Sequence, residues 1–330
     1  MAVSYAYAPD IGGIESVTRM LVDEWIALSH DVQIVTHAEG DSPGEPCPVH
    51  RRPALSQLES LHIWADVVWH NNISLTYARP AIRRWRRKPW VVTHATYVPP
   101  DAPIKVRLTK GIAFKLARNI AITRHIQSTF RGKSIVIPNP YDHRRFRVLD
   151  GVDRDRDAVF LGRLVSDKGA DIAVEACAAS KRAGRPFRLT IVGRGPEEEA
   201  LRAQVEREGL GELVRFAGPM QGEALVAELN RHRVLLVPSR WAEPFGIVAL
   251  EGAACGLVVV GPTHGGLPEA IGPCGPTIPI ADVGAWADTT VELLGSEEAR
   301  RPYLEAAPAH LERHTARRIA EAYLEVFAGK

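Results

Sequence analysis

The sequence is poor in the residues that staple or anchor proteins. Its 330 residues include four cysteines, Cys47, Cys177, Cys255 and Cys274. They lack the close spacing of zinc ligands and are too scattered for a disulfide framework, which excludes both kinds of scaffold. Cys177 and Cys255 fall in apolar helical patterns and are expected as inert core thiols. No run of about 18 apolar residues occurs, so no membrane-crossing helix is expected. The opening Met1-Ala-Val-Ser-Tyr-Ala-Tyr7 lacks a basic region followed by a long apolar one, so a secretory leader is not expected. A cytoplasmic location is the resulting expectation. Asn72-Ile-Ser74 fits a glycosylation acceptor but is then without consequence. Helix-turn-helix, RNP and zinc-finger patterns are missing too, which argues against nucleic acid as a partner.

What is present describes a globular chain of two-domain length, with 45% hydrophobic and 24% charged residues. The formal net charge of +2 hides an asymmetry. Residues 1–150 carry 20 Lys and Arg against 13 Asp and Glu, a net +7; residues 151–330 carry 21 against 26, a net −5. Between Arg79 and Lys133 stand 14 basic residues and one acid, Asp101. The segment Arg79-Pro-Ala-Ile-Arg-Arg-Trp-Arg-Arg-Lys-Pro89 sets Trp85 among cations. That pattern suits an anionic membrane surface, reached peripherally from the inner face through residues 79–133, or an anionic acceptor.

Hydrophobic periodicity predicts two α/β series. In the first half, strands are expected at 2–7, 31–36, 66–69, 90–93, 119–122 and 134–137, with a helix over 14–28 whose apolar residues repeat at helical spacing. Gly12-Gly13 between the first strand and that helix lets the backbone approach a ligand. His94 ends a strand, where open α/β sheets place ligand groups. Turn formers and charges from Pro138 to Asp157 mark a boundary. The Asp-x-Asp repeat there precedes a strand instead of ending one, so no metal site is expected. The second half predicts strands at 158–161, 188–192, 213–217, 234–237 and 257–261, and three helical stretches in the tail. Arg163 and Lys168 both fall in the loop after its first strand, where two cations can hold a diphosphate.

The most informative stretch is Glu243-Pro-Phe-Gly-Ile-Val-Ala-Leu-Glu251. It reads as a loop carrying Glu243, then a helix starting near Gly246, with Glu251 inside it. Unpaired N–H groups at a helix start suit a phosphate, and two carboxylates can accept hydrogen bonds from hydroxyls. A nucleotide sugar has both features.

Four motifs occur in one chain in order: Gly162-Arg-Leu-x-x-x-Lys168-Gly, Gly193-x-Gly-Pro, Glu243-Pro-Phe-Gly-x-x-x-x-Glu251 and Gly265-Gly-Leu-Pro-Glu269. Together they resemble the retaining glycosyltransferases of GT-B fold, family 4, also called glycosyl transferases group 1. Gly12-Gly13-Ile-Glu15 and Asp31-Val-x-Ile-Val35 agree with that family's first β–α–β unit. The resemblance is most specific over 158–294, moderate over 1–36 and weak over 37–150. Asn139-Pro-Tyr-Asp142 departs from the family's usual Asn-Gly-Val-Asp, and Ser29 stands where a glycine is common.

The resemblance implies an α/β architecture of two Rossmann-like doubly wound parallel-sheet domains facing each other across a cleft. Residues 1–145 would bind the acceptor and 146–310 the nucleotide sugar, with a C-terminal helix over 311–330 packing back on the first domain. It implies retaining, metal-independent, hexosyl-type transfer from a nucleoside diphosphate sugar to a hydroxyl of a glycan, glycolipid or other small acceptor, in polysaccharide or glycoconjugate biosynthesis. A UDP-sugar is favoured over a GDP-sugar, and no cofactor is implied. By motif match, Arg163 and Lys168 hold the diphosphate and Glu243 bonds the sugar hydroxyls. The backbone at Phe245, Gly246 and Ile247 covers sugar and phosphate, and Glu251 bonds the ribose. Gly193, Gly195 and Met220 flank the base, Gly12 and Gly13 approach the donor, and His94 stands near the transferred sugar. The alternatives are a nucleotide-sugar epimerase or phosphorylase of similar architecture and a non-catalytic scaffold.

Overall fold

The computed structural model of the chain describes residues 1–9, 12–40, 44–73, 75–84, 88–97, 104–130 and 132–329. Ser74, Trp85 and Asp101, on which parts of the sequence reading turn, lie outside them. The chain divides into two compact units, Met1–Pro140 with His314–Lys330, and Tyr141–Arg313.

The first unit runs β1 (Ala2–Ser4), α1 (Gly13–Ala27), β2 (Ile34–Thr36), β3 (Val49–Arg51), α2 (Leu55–Trp64), β4 (Val68–Asn71), α3 (Leu75–Arg84), β5 (Trp90–His94), α4 (Ile104–Leu116), β6 (Arg118–Ala121), α5 (Arg124–Ser128) and β7 (Ile135–Val136). Its seven strands lie in the order β3-β2-β1-β4-β5-β6-β7, every pair parallel. The order reverses beside β1, the signature of a doubly wound sheet. β1, β2, β4 and β5 are buried throughout, because helices cover both faces of a parallel sheet. β1 stops at Ser4, short of the expected Tyr7, where the Ser4 hydroxyl donates to the Ala6 carbonyl at 2.6 Å. The edge strand β3 is only half buried, and its one strong apolar residue, Val49, gives no alternation to read.

The second unit runs β8 (Ala158–Leu161), α6 (Ala170–Arg182), β9 (Leu189–Val192), α7 (Glu198–Arg207), β10 (Val214–Gly218), α8 (Gly222–Asn230), β11 (Val234–Leu236), α9 (Ile247–Ala254), β12 (Val258–Pro262), α10 (Leu267–Ile271), β13 (Thr277–Ile278), α11 (Val283–Gly295) and α12 (Glu297–Glu312). The sheet order β10-β9-β8-β11-β12-β13 repeats the first unit's plan, again with parallel pairs. Phe160, Ile191, Leu236 and Val260 from the strands meet Ala173, Cys177 and Trp286 from the helices in one core. The switch point lies between β8 and β11, which is where ligands sit in such sheets.

The last helix, α13 (Ala316–Ala328), returns to the first unit. It buries Ile319, Ala320, Tyr323 and Val326, a stripe of helical period. Trp25 donates its indole N–H to the Ala320 carbonyl at 3.1 Å. Trp25 and Trp69 pack edge-on at 5.0 Å, and Tyr323 and Phe327 close the aromatic cluster.

Candidate active site

The loops after β8, β9 and β11 build the site at the carboxyl ends of the second sheet. After β8 the chain makes a short 3-10 turn, Ser166–Lys168. Gly169 follows with φ +70°, and a Cβ there would stand 1.9 Å from the Pro238 carbonyl oxygen. Only glycine lets the β8 and β11 loops approach this closely. Their contact is then latched through one acceptor. The Asp167 carbonyl receives the Arg240 N–H at 2.8 Å and the Trp241 N–H at 3.2 Å, and the buried Ser239 hydroxyl at 3.1 Å.

The latch sets Lys168 against Glu243. Lys168 Nζ donates to Glu243 Oε1 at 2.7 Å. The Glu243 side chain is 8% exposed and the Lys168 side chain 22%. Trp241 adds its ring face, 5.7 Å from Nζ, a cation–π contact. Glu243 is held on both sides: its N–H donates to the Trp241 carbonyl, and its own carbonyl accepts from Gly266 N–H at 2.6 Å. Gly246, at φ +102°, then turns the chain into α9. A Cβ on Gly246 would strike Leu267 at 2.3 Å and lie 3.7 Å from Glu243 Oε2. The free N–H groups at the head of α9 therefore open beside the Glu243 carboxylate. Ile247 is half-buried, and Phe245 is 2% exposed, with its ring in the interior.

Arg163 lies in the same loop as Lys168, exposed, and its guanidinium has no partner among the described residues. The β9 loop reaches this loop through Leu164 N–H, which donates to the Arg194 carbonyl at 2.9 Å, and Gly193 N–H reaches Gly218 of β10 at 2.9 Å. Gly193, Gly195 and Met220 are all partly exposed along this rim.

Glu251 lies one turn into α9, half-buried and without a hydrogen-bond partner among the described residues. Burial, with the nearby Asp142 carboxylate adding to it, pushes its pKa up to about 7; Arg145 opposes the shift. Glu251 thus sits between two protonation states near neutral pH. Asp142 closes the Asn139-Pro-Tyr-Asp142 stretch, but nothing in the sequence places it or Arg145 near Glu251, about 100 residues on. The same holds for Ser239 and Trp241, whose roles depend on contacts distant in sequence. Two aspartates of the expected boundary pair with arginines, Asp155 with Arg231 at 2.5 Å and Asp157 with Arg188 at 3.2 Å.

Gly12, Gly13 and His94 belong to the first unit. Gly12 precedes α1 with extended backbone. His94 is 1% exposed, stacked on Phe114 at 4.3 Å and flanked by Phe130 at 4.9 Å. The Asn119 side-chain N–H groups donate to the Phe114 and Ala117 carbonyls. Its oxygen is therefore the acceptor facing His94 Nε2 at 2.9 Å, so Nε2 carries the proton. Nδ1 is left buried without a partner among the described residues. Burial lowers the pKa to about 4, with Asn119 opposing and Lys110 adding a smaller push downward. The ring is a neutral acceptor at pH 7.

The family model described as glycosyl transferases group 1 matches residues 144–310, just over half of the chain. The chain belongs to that family. A D-inositol 3-phosphate glycosyltransferase of Acidothermus cellulolyticus is 42% identical over 150 residues, covering 42% of this chain and 33% of that protein. One from Saccharomonospora viridis is 32% identical over 179 residues, covering 51% of this chain and 41% of that protein. The matched stretch thus spans well under half of these relatives. In fold the likeness covers the whole group 1 chain. Anabaena Alr3699/HepE in complex with UDP aligns with a TM-score of 0.84 at 19% identity, over 100% of this chain and 99% of that one. WaaG, a glycosyltransferase involved in lipopolysaccharide biosynthesis, aligns with a TM-score of 0.72 at 18% identity, over 100% of both chains. This group 1 chain has the GT-B fold.

Proposed function

We propose that the protein is a retaining glycosyltransferase. It moves a sugar from a nucleoside diphosphate sugar, a UDP-sugar before a GDP-sugar, to a hydroxyl of a glycan, glycolipid or other small acceptor in polysaccharide or glycoconjugate assembly. The observation that carries this reading is the Lys168–Glu243 pair, 2.7 Å apart at the switch point of the second sheet. The preference for UDP draws support from the UDP and UDP-glucose complexes of the similarly folded Anabaena HepE.

The chemistry follows from the charges. Breaking a glycosyl–phosphate bond builds positive charge on the sugar and negative charge on the diphosphate. Lys168 has three N–H donors, so it can keep Glu243 and still give one to a phosphate oxygen. Arg163 supplies the second cation, and the head of α9 adds unpaired N–H groups. Fixed donors aimed at the leaving group lower the barrier without a metal in the step. Glu243, desolvated and anchored by its own backbone, accepts from the sugar hydroxyls and sets the sugar's orientation. Glu251 accepts from the ribose. No side chain of the second unit is assigned as a nucleophile. The departing phosphate takes the acceptor proton on the same face, which retains configuration. Gly12, Gly13 and His94 of the first unit are the remaining residues of the reading, with His94 a neutral ring at pH 7.

The test is incubation of the purified chain with nucleotide sugars, with and without acceptor extracts. Nucleoside diphosphate release that requires acceptor, with the anomeric configuration kept in the product, is the expected result. A folded chain that binds no nucleotide sugar sinks the reading.

A further inference from the structure

We propose that a cavity at the amino end of the first sheet binds a saccharide. It lies where β1, β2 and β4 begin and where α1 and α13 end, and it measures about 490 Å³. Small-molecule sites usually fall at roughly 300–1,000 Å³. Gly12 and Gly13 follow β1 and His94 ends β5, so those residues stand at the opposite edge of the sheet. α1 alone, 15 residues long, sets Gly13 about 22 Å from the cavity. The donor reading makes no use of this place.

The wall is aromatic and the rim is polar. Trp25, Trp69 and Phe327 line the cavity, and the two indoles are fixed edge to face at 5.0 Å. Trp64 lines it too and is 42% exposed. Asp31 and Asp66 are exposed along it, and neither has a hydrogen-bond or ion-pair partner among the described residues. Ser29 follows α1 at φ +65°, the left-handed conformation that glycine takes at less cost. The serine therefore adds an exposed hydroxyl to the same rim.

These groups select among ligands. An anion meets two carboxylates. A purely apolar ligand leaves Asp31, Asp66 and Ser29 unused. A cation meets Lys88, whose Nζ already donates to the Ile63 and Ala65 carbonyls on either side of Trp64. The Met1 amine is spent on the Val67 carbonyl at 2.8 Å, and burial lowers its pKa to about 5, so it is uncharged at pH 7. A neutral sugar ring answers both halves of the cavity. Its hydroxyls donate to the carboxylates, and its C–H face packs on an indole, an apolar body with a polar edge. The site is carried by its own residues. Its use, holding a glycan away from the reacting end, rests on the transferase reading.

The test follows the indole N–H signals of the seven tryptophans in the full chain by proton–nitrogen correlation NMR, with Trp64 assigned from Trp64→Phe. The probes are the methyl glycosides of glucose, galactose, mannose and N-acetylglucosamine, with glycerol and choline as controls. At least one glycoside is expected to shift the Trp64 signal saturably, and glycerol is not. Asp31→Asn with Asp66→Asn should weaken that affinity by about tenfold or more, through loss of two charge-assisted hydrogen bonds. Both aspartates are exposed, so an unchanged melting temperature and unchanged UDP affinity serve as controls. No shift with any glycoside, a shift that glycerol reproduces, a shift with choline alone, or undiminished affinity in the folded double variant overturns the proposal. The readout needs no donor. A chain that shows the shift and binds no nucleotide sugar therefore sinks the transferase reading and keeps the site, and the reverse result does the opposite.

Discussion

Lys168 and Glu243 show how the site is held before any ligand enters it. Each is the other's nearest opposite charge, and the lysine's spare donors remain for a phosphate. Lys168→Ala is expected to lower turnover by roughly 10²-fold or more, as loss of a fixed charge stabiliser does. It also strands a nearly buried carboxylate, so the melting temperature should fall. Adding Glu243→Gln should restore much of the melting temperature and none of the rate, which separates the two effects. Glu251 gives a pH prediction. Its carboxyl keeps its proton up to about pH 7, whereas an ordinary glutamate loses it near 4.5. The folded chain then binds the extra proton, so this group's contribution to stability falls as pH rises through that window. Nucleotide binding runs the other way, because ribose hydroxyls donate to the ionised form. UDP affinity should rise by up to about tenfold per pH unit below 7 and level off above it, and Glu251→Gln should flatten the curve measured by titration calorimetry. At this scale the sequence showed the charged groups of the site but not their restraints. The spacing of Gly162 to Glu251 marks Lys168, Glu243 and Glu251. It says nothing of the Asp167 latch or of the phenylalanines around His94, since those contacts join residues distant in sequence.

At the scale of elements, buried strands and amphipathic helices were readable wherever one period ran far enough. β8, β11 and β12 are continuous apolar runs, and their extents came out within a residue or two. β3 and β13 have no sequence signature for one physical reason: both are short sheet-edge strands, only partly buried, with no alternation to see. α13 illustrates what the period alone leaves out. The tail reads as helical, and the resemblance implies a helix over 311–330 packing back on the first domain, but nothing in the sequence names Trp25 and Trp69 as its seat. Tyr323, 1% exposed and sharing a hydrogen bond with Thr93 at 3.0 Å, ties the helix to β5. Tyr323→Ala should cost about 3–5 kcal/mol, the usual loss for a buried aromatic cut to alanine. Urea unfolding checks this, with the loss falling on the first unit's transition if the two units unfold separately.

At the scale of the whole molecule, one plan is used twice, and the two copies diverge in charge and in what their loops carry. The acid-rich half sets Arg163 and Lys168 in the loop after β8, where a diphosphate would sit. The basic half exposes Arg79, Arg83, Arg107 and Lys115 on α3 and α4. That division was visible in the charge count of the two halves, because net charge needs no tertiary contact to be read. The acceptor was not, since motif likeness fades over 37–150 and nothing in composition replaces it. Equilibrium titration of UDP into the full chain and into Lys168→Ala most directly tests whether the second unit holds the donor. Saturable binding at a single site is expected, weakened about tenfold or more in the variant by loss of a charge-assisted hydrogen bond. Equal affinity in a folded Lys168→Ala chain, or no binding of UDP by the native one, would contradict it.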